Sequence, residues 1–215
     1  MDISIKSIVK KIQNTDHKYN YDEIFFDWIK SMFYSYVNTC NKIGYSDRED
    51  KFKRLEEKHG QQTMEIFKQC HSELVMLFEN KIDDYLGKIF YELGMHNKMK
   101  GQFFTPLHLS KFMAETRVNE LIKILEVKNI AKVIDAACGS GSLILGMLAV
   151  LKEKGINYQN RIFVYCSDLD ENAIQMTYVQ LTLVGAMARC ENKNALSEEL
   201  FGSWDTFNYS ISGNI

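Results

Sequence analysis

Two consecutive runs in the second half of the chain constrain the fold more than any other feature: AKVIDAACGSGSLILGMLAVLKEKG and RIFVYCSDLDENAIQMTYVQLTLVGA. Each reads as a short apolar strand, then a turn of glycine or acidic residues, then a helix. The segment ARCENKNAL that follows reads as a third strand and its loop. Because strands that alternate with helices pair in parallel, the second half is predicted to be an α/β domain with a parallel, doubly wound sheet.

The first hundred residues are predicted to be helical. The segment FFDWIKSMFYSYV is strongly apolar and aromatic, and the charged amphipathic segment EDKFKRLEEKHG stops at Gly60. Residues 61–93 carry apolar side chains at spacings of three and four, which predicts one long helix that ends at Gly94. We therefore expect a helical N-terminal domain over residues 1–98, serving as a bundle or cap, and an α/β domain over residues 99–215.

The composition narrows the class of protein. The net charge of −2 gives no overall basic excess of the kind that indicates nucleic-acid binding, although it leaves room for a local basic patch. The five cysteines are widely spaced and form no CxxC pair, which favours a reducing cytoplasm over a disulfide framework or a zinc site. No apolar run approaches the roughly 20 residues that span a bilayer, so we expect a cytoplasmic protein with no membrane partner.

A glycine turn follows the first predicted strand of the sheet. Asp135 ends that strand, and Gly139, Ser140 and Gly141 follow within six residues. Glycines let the backbone turn sharply and approach a ligand, and the next helix points its first N–H groups at that ligand. The third glycine of a dinucleotide fingerprint would fall at Ile144, and the Gly-Lys-Ser/Thr of a phosphate loop is absent, so the turn indicates neither NAD nor a nucleotide triphosphate.

Asp168 ends the second predicted strand, where ligands of open α/β sheets bind. A carboxylate there can accept hydrogen bonds from both hydroxyls of a ribose, and Leu169 beside it can pack on a purine. Alternatively, Asp168 and Asp170 merely cap the helix that begins ENAIQ. The turn from Asp135 to Gly141 one unit earlier favours the ribose role.

The only proline of the chain, Pro106, lies in the stretch GQFFTP. Thr105 can accept from the free N–H groups of a first helical turn, and proline at the first helical position gives up an N–H that has no partner there. The pair Thr105-Pro106 therefore predicts a helix start, followed by one helical stretch over LHLSKFMAETRV and another over NELIKILEV.

Four elements, GQFFTP, DAACGSGS, CSDLDENAIQMTYVQLTLVG and NKNAL, occur in an order and spacing that resembles the adenine-N6 DNA methylase family. The resemblance is to the modification subunit of type I restriction-modification systems and spans about residues 85–200. It implies a helical N-terminal domain followed by a partial Rossmann-like methyltransferase domain with the first three or four parallel strands. It also implies DNA as a partner, with help from another subunit.

The resemblance implies that the cofactor is S-adenosylmethionine. The FxTP element and the glycine turn would hold its methionine end, Asp168 its ribose and Leu169 its adenine, and Asn194 would stand where the family reads the target amino group. Ala136 and Ser142 replace a proline and a glycine of the family pattern, and Cys138 is a feature of the turn rather than a nucleophile. The implied cofactor-binding residues are Gln102, Phe103, Phe104, Thr105, Pro106, Asp135, Ala136, Cys138, Gly139, Ser140, Gly141, Ser142, Asp168, Leu169, Asn194 and Ala195.

The catalytic element of the family is absent from the sequence. That element is Asn/Asp/Ser-Pro-Pro-Tyr/Phe/Trp. Its polar side chain and a backbone carbonyl accept from the amine of the target adenine, and its aromatic ring stacks on the flipped base. It needs two adjacent prolines, and this chain has one. We therefore expect a chain truncated before this element, with no catalytic residue and no metal, that does not catalyse transfer alone. Three hypotheses remain open for the function: a DNA methyltransferase completed by another chain, a non-catalytic regulatory or assembly protein, or a methyltransferase for RNA, protein or a small molecule.

The end of the sequence bears on the edge of the sheet. The segment WDTFNYSISGNI could form a fourth strand with Phe207, Tyr209 and Ile211 on one face. A sheet that lacks its later strands would leave the first strand unpaired on one side. We expect that edge to be covered by the C-terminal segment, by the N-terminal helices, or by another chain through a protein partner or self-association.

Overall fold

The computed structural model describes residues 4–15, 18–95 and 105–212. Helices come first in the chain, and a sheet with its helices follows. The elements are α1 (Ile5–Gln13), α2 (Tyr21–Cys40), α3 (Tyr45–Asn80), α4 (Tyr85–Glu92), α5 (Leu107–Val127), β1 (Ala131–Asp135), α6 (Ser142–Glu153), α7 (Tyr158–Arg161), β2 (Ile162–Asp168), α8 (Glu171–Leu183), β3 (Met187–Lys193), β4 (Leu200–Asp205) and α9 (Phe207–Ile211).

The sheet confirms the predicted α/β class with a partial Rossmann-like arrangement. Strands β1, β2 and β3 are adjacent in that order and parallel. The order runs in one direction only, so by the right-handed crossover rule α6 and α8 lie on the same side of the sheet. The described strands therefore differ from the predicted doubly wound sheet, in which the strand order reverses and crossover helices cover both faces. The register sets Asp135 beside Cys166 and Asp168 beside Asn192. Asp135 and Asp168 therefore both lie at the carboxyl ends of their strands, on the side of the sheet where the sequence predicts a ligand.

The fourth strand differs from the prediction. It is β4, it begins before the predicted segment, and it pairs antiparallel with β3. The segment with Phe207, Tyr209 and Ile211 is the helix α9 instead. A tight turn causes the reversal: the backbone of Asn194 both donates to Glu199 and accepts from Glu198, so the chain doubles back beside β3. The C-terminal segment thus extends the β3 side, and β1 has no second strand partner among the described residues.

The helical half also departs from the prediction in detail. The long helix predicted over 61–93 is broken: α3 ends at Asn80, and α4 starts at Tyr85 with Asp84 as its N-cap. Periodicity missed this break because Phe78 before it, Ile82 within it and Leu86 after it are all buried. Gly60 is a kink inside α3, with φ 68° and ψ 170°, rather than the end of a helix.

The start of α5 is shifted by one residue from the prediction. The helix begins at Leu107, Pro106 is its N-cap rather than its first residue, and no side chain of the described residues caps it. The two helical stretches predicted after Pro106 form this single helix. The predicted domain boundary after residue 98 lies outside the described residues.

The helices and the sheet share one core. Phe33 of α2 packs edge-on against Tyr178 of α8 and Trp204 of β4, with ring centroids 5.1 and 5.0 Å apart. Trp28 of α2 is fully buried, and its indole N–H donates to the carbonyl of Phe67 at 3.1 Å. These contacts join the N-terminal helices to the same apolar interior as the strands.

The two faces of the sheet differ in chemistry. Val164, Cys166 and Cys190 are fully buried on the side of α6 and α8, and the two sulfur atoms lie 3.4 Å apart as free thiols. The other face carries polar pairs between neighbouring strands, such as the two-pronged contact of Arg189 with Asp205. Such pairs are typical of a face in contact with water.

At Gly146, α6 lies close to the backbone of α5. A Cβ atom at Gly146 would lie 2.8 Å from the Cβ of Ser110 and 3.0 Å from the backbone nitrogen of Lys111. We expect Gly146→Ala to lower the free energy of unfolding by about 1–2 kcal/mol, because a clash with backbone cannot be relieved by a rotamer change. Urea denaturation followed by circular dichroism measures the change.

A matched control for this variant is Ser72→Ala. Ser72 lies on an exposed part of α3, where alanine adds helix propensity without a clash. This control should unfold at or above the wild-type urea concentration. Equal stability of Gly146→Ala and wild type would contradict the packing argument.

Candidate functional site

The glycine turn after β1 is held in its conformation by α8. Gly139 and Gly141 have φ angles of 55° and 88°, in the region that favours glycine. The hydroxyl of Thr177 on α8 donates to the carbonyl of Gly139 at 2.8 Å. A Cβ atom at Gly141 would lie 3.0 Å from that same hydroxyl oxygen. Position 141 therefore favours glycine both for its backbone angle and for its close approach to α8.

Asp168 joins the glycine turn to the end of β2. Its Oδ2 accepts from the N–H of Gly139 at 2.8 Å, and its Oδ1 accepts from the N–H of Asp170 at 2.9 Å. Capping of α8 falls to Asp170, whose Oδ1 accepts from the N–H of Asn172 at 2.8 Å. A carboxylate has about four lone-pair sites, so Asp168 retains acceptor capacity for hydroxyls of a ligand. Leu169 beside it is 61% exposed.

Asp135 carries an unsatisfied acceptor. Its Oδ1 accepts from the N–H of Ala137 at 3.2 Å, while its Oδ2 is buried and has no hydrogen-bond partner among the residues that the structure describes. Burial raises the pKa of Asp135, and the nearby charge of Asp168 adds to the effect, while the Ala137 N–H opposes it. A buried acceptor without a donor is costly, so this oxygen suits a ligand that supplies a donor or a positive charge.

Thr105 and Pro106 are tied to the glycine turn through Ser142. The hydroxyl of Ser142 donates to the carbonyl of Thr105 at 2.6 Å, and the hydroxyl of Ser110 on α5 lies 3.0 Å away. Ser142, which departs from the family pattern, thus makes the contact that anchors the start of α5. The predicted residues Gln102, Phe103 and Phe104 lie outside the described residues.

A cavity of about 980 Å³ lies between α1, α4 and the start of α5. Thr105 and Pro106 line it, together with Asp84, Lys88 and Glu92 of the α4 region. Among the described residues of its lining, neither Asp135 nor Asp168 occurs. The predicted site residues therefore fall into two groups, one at the strand ends and one on the cavity, with the Ser142 hydrogen bond between them.

Asn194 and Ala195 lie in the turn between β3 and β4. The side-chain oxygen of Asn194 accepts from the N–H groups of Leu196 at 2.9 Å and Ser197 at 3.2 Å. The structure thus gives Asn194 a role in the turn, and its proposed contact with a target base stays a prediction.

The two remaining predicted residues lie inside the turn backbone. The carbonyl of Ala136 accepts from the hydroxyl of Ser167 at 3.3 Å, and the N–H of Cys138 donates to the carbonyl of Ser167 at 3.0 Å. Contact with the Cys166 thiol, together with burial, holds the pKa of Cys138 well above its ordinary value. A thiol that stays protonated is a poor nucleophile, which agrees with the structural role assigned to it.

Three supporting residues were missed by sequence reasoning. Asn192 donates to the carbonyls of Asp168 at 3.0 Å and Leu169 at 2.9 Å, and so fixes the end of β2. Asp84 and Gln180 are buried and hydrogen-bond to Ser140 of the glycine turn. The capping position of Asp84 before an apolar helix was a readable signal, but its contact with a residue 56 positions later was not.

Two classes of feature are absent from the part of the chain that the structure describes. None of its helices is long and apolar enough to cross a bilayer. The same residues contain no group of three or more metal-ligating side chains that could hold a metal ion.

Comparisons with known proteins bear on the family. A solved structure, described as a putative class I S-adenosylmethionine-dependent methyltransferase from Listeria monocytogenes, is similar with a TM-score of 0.42 and 14% identity. The comparison covers 86% of this chain and 52% of that one, so the chain spans about half the length of that protein. No curated protein matches. The sequence model of the N-6 DNA methylase family matches residues 81–213. Because this match covers more than half of the sequence, the chain belongs to the N-6 DNA methylase family.

Proposed function

We propose that this chain binds S-adenosylmethionine and is the cofactor-binding part of an adenine-N6 DNA methyltransferase of restriction-modification type. The observation that carries the proposal is the hydrogen bond from the N–H of Gly139 to Asp168, at 2.8 Å. It brings the glycine turn after β1 and the acidic end of β2 together as one site. Membership of the N-6 DNA methylase family supports adenine in DNA as the proposed substrate.

The residues at the strand ends fit the parts of this cofactor. The buried Oδ2 of Asp135, which has no partner in the described part of the chain, suits the ammonium group of the methionine moiety. The free lone pairs of Asp168 suit the two ribose hydroxyls, and the exposed side chain of Leu169 suits the flat face of adenine. When bound, the cofactor supplies a methyl group on a positively charged sulfur.

In this proposal the chain binds and orients the cofactor, and its sequence lacks the groups that hold the target base. Transfer to the exocyclic amine of adenine requires a base flipped out of the duplex and acceptors for the amine protons. The Pro-Pro element that does this in the family does not occur in the 215 residues. We therefore propose that this chain alone does not transfer methyl groups and that another subunit supplies the missing element and DNA contacts.

A second candidate function belongs to another class of protein. We propose as the alternative that the chain is a non-catalytic, cofactor-binding regulatory or assembly protein derived from a DNA methylase. Its five cysteines, all free in the structure, favour work in a reducing cytoplasm under either function. The predicted division into helical residues 1–98 and cofactor-binding residues 99–215 is part of both proposals.

Calorimetric titration with S-adenosylmethionine tests the proposal. We expect micromolar binding by the wild type and at least about 30-fold weaker binding by Asp168→Ala, a loss of about 2 kcal/mol. The reason is that Asp168→Ala removes both the carboxylate that accepts from the ribose hydroxyls and the acceptor of the Gly139 N–H. Asp168→Asn, which keeps one acceptor oxygen, should lie between the two.

Two controls make the titration decisive. Asp47→Ala removes an exposed carboxylate in the first turn of α3 and should bind like the wild type. Thermal unfolding of each variant shows whether it is folded at the titration temperature. Absence of wild-type binding at millimolar cofactor, or unchanged affinity of Asp168→Ala, would overturn the proposal. Labelled cofactor and adenine-containing DNA, added to the same sample, should give no methylated DNA.

A further inference from the structure

Asp84 is a buried carboxylate at the meeting point of three elements. It is 4% exposed, and it stands at the N-cap of α4. The hydroxyl of Ser140 in the glycine turn donates to its Oδ2 at 2.6 Å. The side-chain amide of Gln180 on α8 donates to its Oδ1 at 2.8 Å, and the N–H of Gly87 donates to the same atom at 2.9 Å. Asp84 therefore acts as an acceptor for donors from the turn, from α8 and from α4.

Gln180 makes further hydrogen bonds to the glycine turn and to α4. It is fully buried, and its side-chain N–H₂ group also donates to the carbonyl of Ser140 at 2.7 Å. Its side-chain oxygen accepts from the N–H of Leu86 at 3.1 Å. Both the hydroxyl and the carbonyl of Ser140 are thus fixed from outside the turn. A buried polar network whose members are all satisfied is rigid and favours one conformation.

Gly87 shows how closely α4 is fitted to this carboxylate. A Cβ atom at position 87 would lie 2.2 Å from Oδ2 and 2.8 Å from Oδ1 of Asp84. Glycine inside a helix costs about 1 kcal/mol relative to alanine. The glycine is explained by the carboxylate, which occupies the space that any side chain would need.

We infer that Asp84 is a positioning residue for the cofactor loop: through Ser140 it sets the conformation in which the Gly139 N–H meets Asp168. The inference rests on the proposed function, because the proposed function makes S-adenosylmethionine the ligand of this loop. Asp84 acts through Ser140 and needs no contact with the cofactor itself. The helix α4, which precedes the sheet, thereby becomes part of the cofactor site.

Two variants break the network in different ways. Asp84→Asn keeps the shape of the side chain but replaces one carboxylate oxygen by an N–H₂ group, so one of the donors that Asp84 now serves loses its acceptor. Gly87→Ala leaves Asp84 in the sequence and displaces its carboxylate. We expect each to weaken S-adenosylmethionine binding about tenfold or more, because a loosened loop must be ordered on binding. The matched control is Asp27→Asn, which removes a buried carboxylate between α2 and α3, away from the loop.

Hydrogen exchange adds a readout that requires no cofactor. The N–H groups of Cys138, Gly139 and Gly141 are all hydrogen-bonded in the turn. We expect these three amides to exchange faster in Asp84→Asn and Gly87→Ala than loss of global stability explains, whereas in Asp27→Asn their exchange should rise only in proportion to its loss of global stability. If Asp84→Asn does not fold, Ser140→Ala removes only the donor hydroxyl and tests the same link.

The outcomes separate this inference from the proposed function. Weaker binding and faster exchange in the Asp84 and Gly87 variants alone would support it. If the wild type fails to bind S-adenosylmethionine but exchange at the turn still rises beyond the loss of global stability only in these variants, the positioning role holds and the proposed function falls. Wild-type affinity and exchange in both variants would overturn the inference, and so would equal changes in Asp27→Asn.

A double-mutant comparison tests whether Asp84 acts through Ser140. In the Ser140→Ala background, Asp84→Asn should weaken cofactor binding much less than it does alone, because the link is already broken. Additive effects of the two substitutions would show that Asp84 acts by another route.

Discussion

Replacement of Trp28 by alanine is expected to lower the free energy of unfolding by about 3–5 kcal/mol, which is the largest effect of any substitution considered. The indole ring is fully buried, and its centroid lies 6.2 Å from that of Phe25. Its removal leaves a cavity in the interior shared by helices and sheet, and the carbonyl of Phe67 loses its 3.1 Å donor. Urea denaturation followed by circular dichroism measures the loss.

Two comparison variants divide this effect into its parts. Trp28→Phe keeps an aromatic ring and removes the N–H, so it should lose about 1–3 kcal/mol. Phe112→Ala removes a ring that is 68% exposed and should change stability by less than about 0.5 kcal/mol. A loss below about 1 kcal/mol for Trp28→Ala would show that the interior collapses around the gap or is not packed as described.

Asp27→Asn is expected to lower the free energy of unfolding by about 2–3 kcal/mol at neutral pH, and by less in acid. Asp27 is 4% exposed, and its Oδ2 accepts from Lys58 at 2.6 Å and from His59 at 2.9 Å. Burial alone would raise the pKa of Asp27, but the hydrogen bonds from His59 and Lys58 and the charge of Lys30 outweigh it and lower the pKa to about 2.

The direction of the pH dependence follows from that lowered pKa. Because Asp27 holds its proton less tightly when folded, its stabilisation is fully present above the unfolded pKa of about 3.9 and is lost as pH falls toward about 2. The stability difference between wild type and Asp27→Asn should therefore shrink between neutral pH and pH of about 3.

Urea titrations at the two pH values measure this difference. Glu65→Gln, at an exposed carboxylate on α3, is the control and should follow the wild type at both. A difference that stays constant or grows in acid would contradict the lowered pKa.

Local pattern was sufficient to predict much of the candidate site. The strand–turn–helix runs gave β1 and β2 their order, and a parallel pair necessarily brings Asp135 and Asp168 to one edge of the sheet. The glycine turn was readable because residues with positive φ are mostly glycine, as at Gly139 and Gly141. These features depend on residues close together in sequence.

Features that depend on distant contacts escaped prediction. The bond between Gln180 and Asp84 joins residues 96 positions apart, and nothing in either neighbourhood signals it. The break in the long helix before Asp84 occurs without glycine or proline, and Asp84 is buried there against Ser140 of the glycine turn and Gln180 of α8. The antiparallel β4 depends on a turn of polar residues after Asn194, which a strand-by-strand reading took for an ordinary loop.

The free cysteines provide an internal measure of how the protein opens. Cys70 is fully buried among the N-terminal helices, and burial raises its pKa to about 12. Cys190 is fully buried in the sheet. A thiol-alkylating reagent can reach either sulfur only after local or global unfolding, so each modification rate counts opening events at its own position. Equal rates mean that helices and strands open together as one cooperative unit, and a faster rate at Cys70 means that the helices open first while the sheet stays closed.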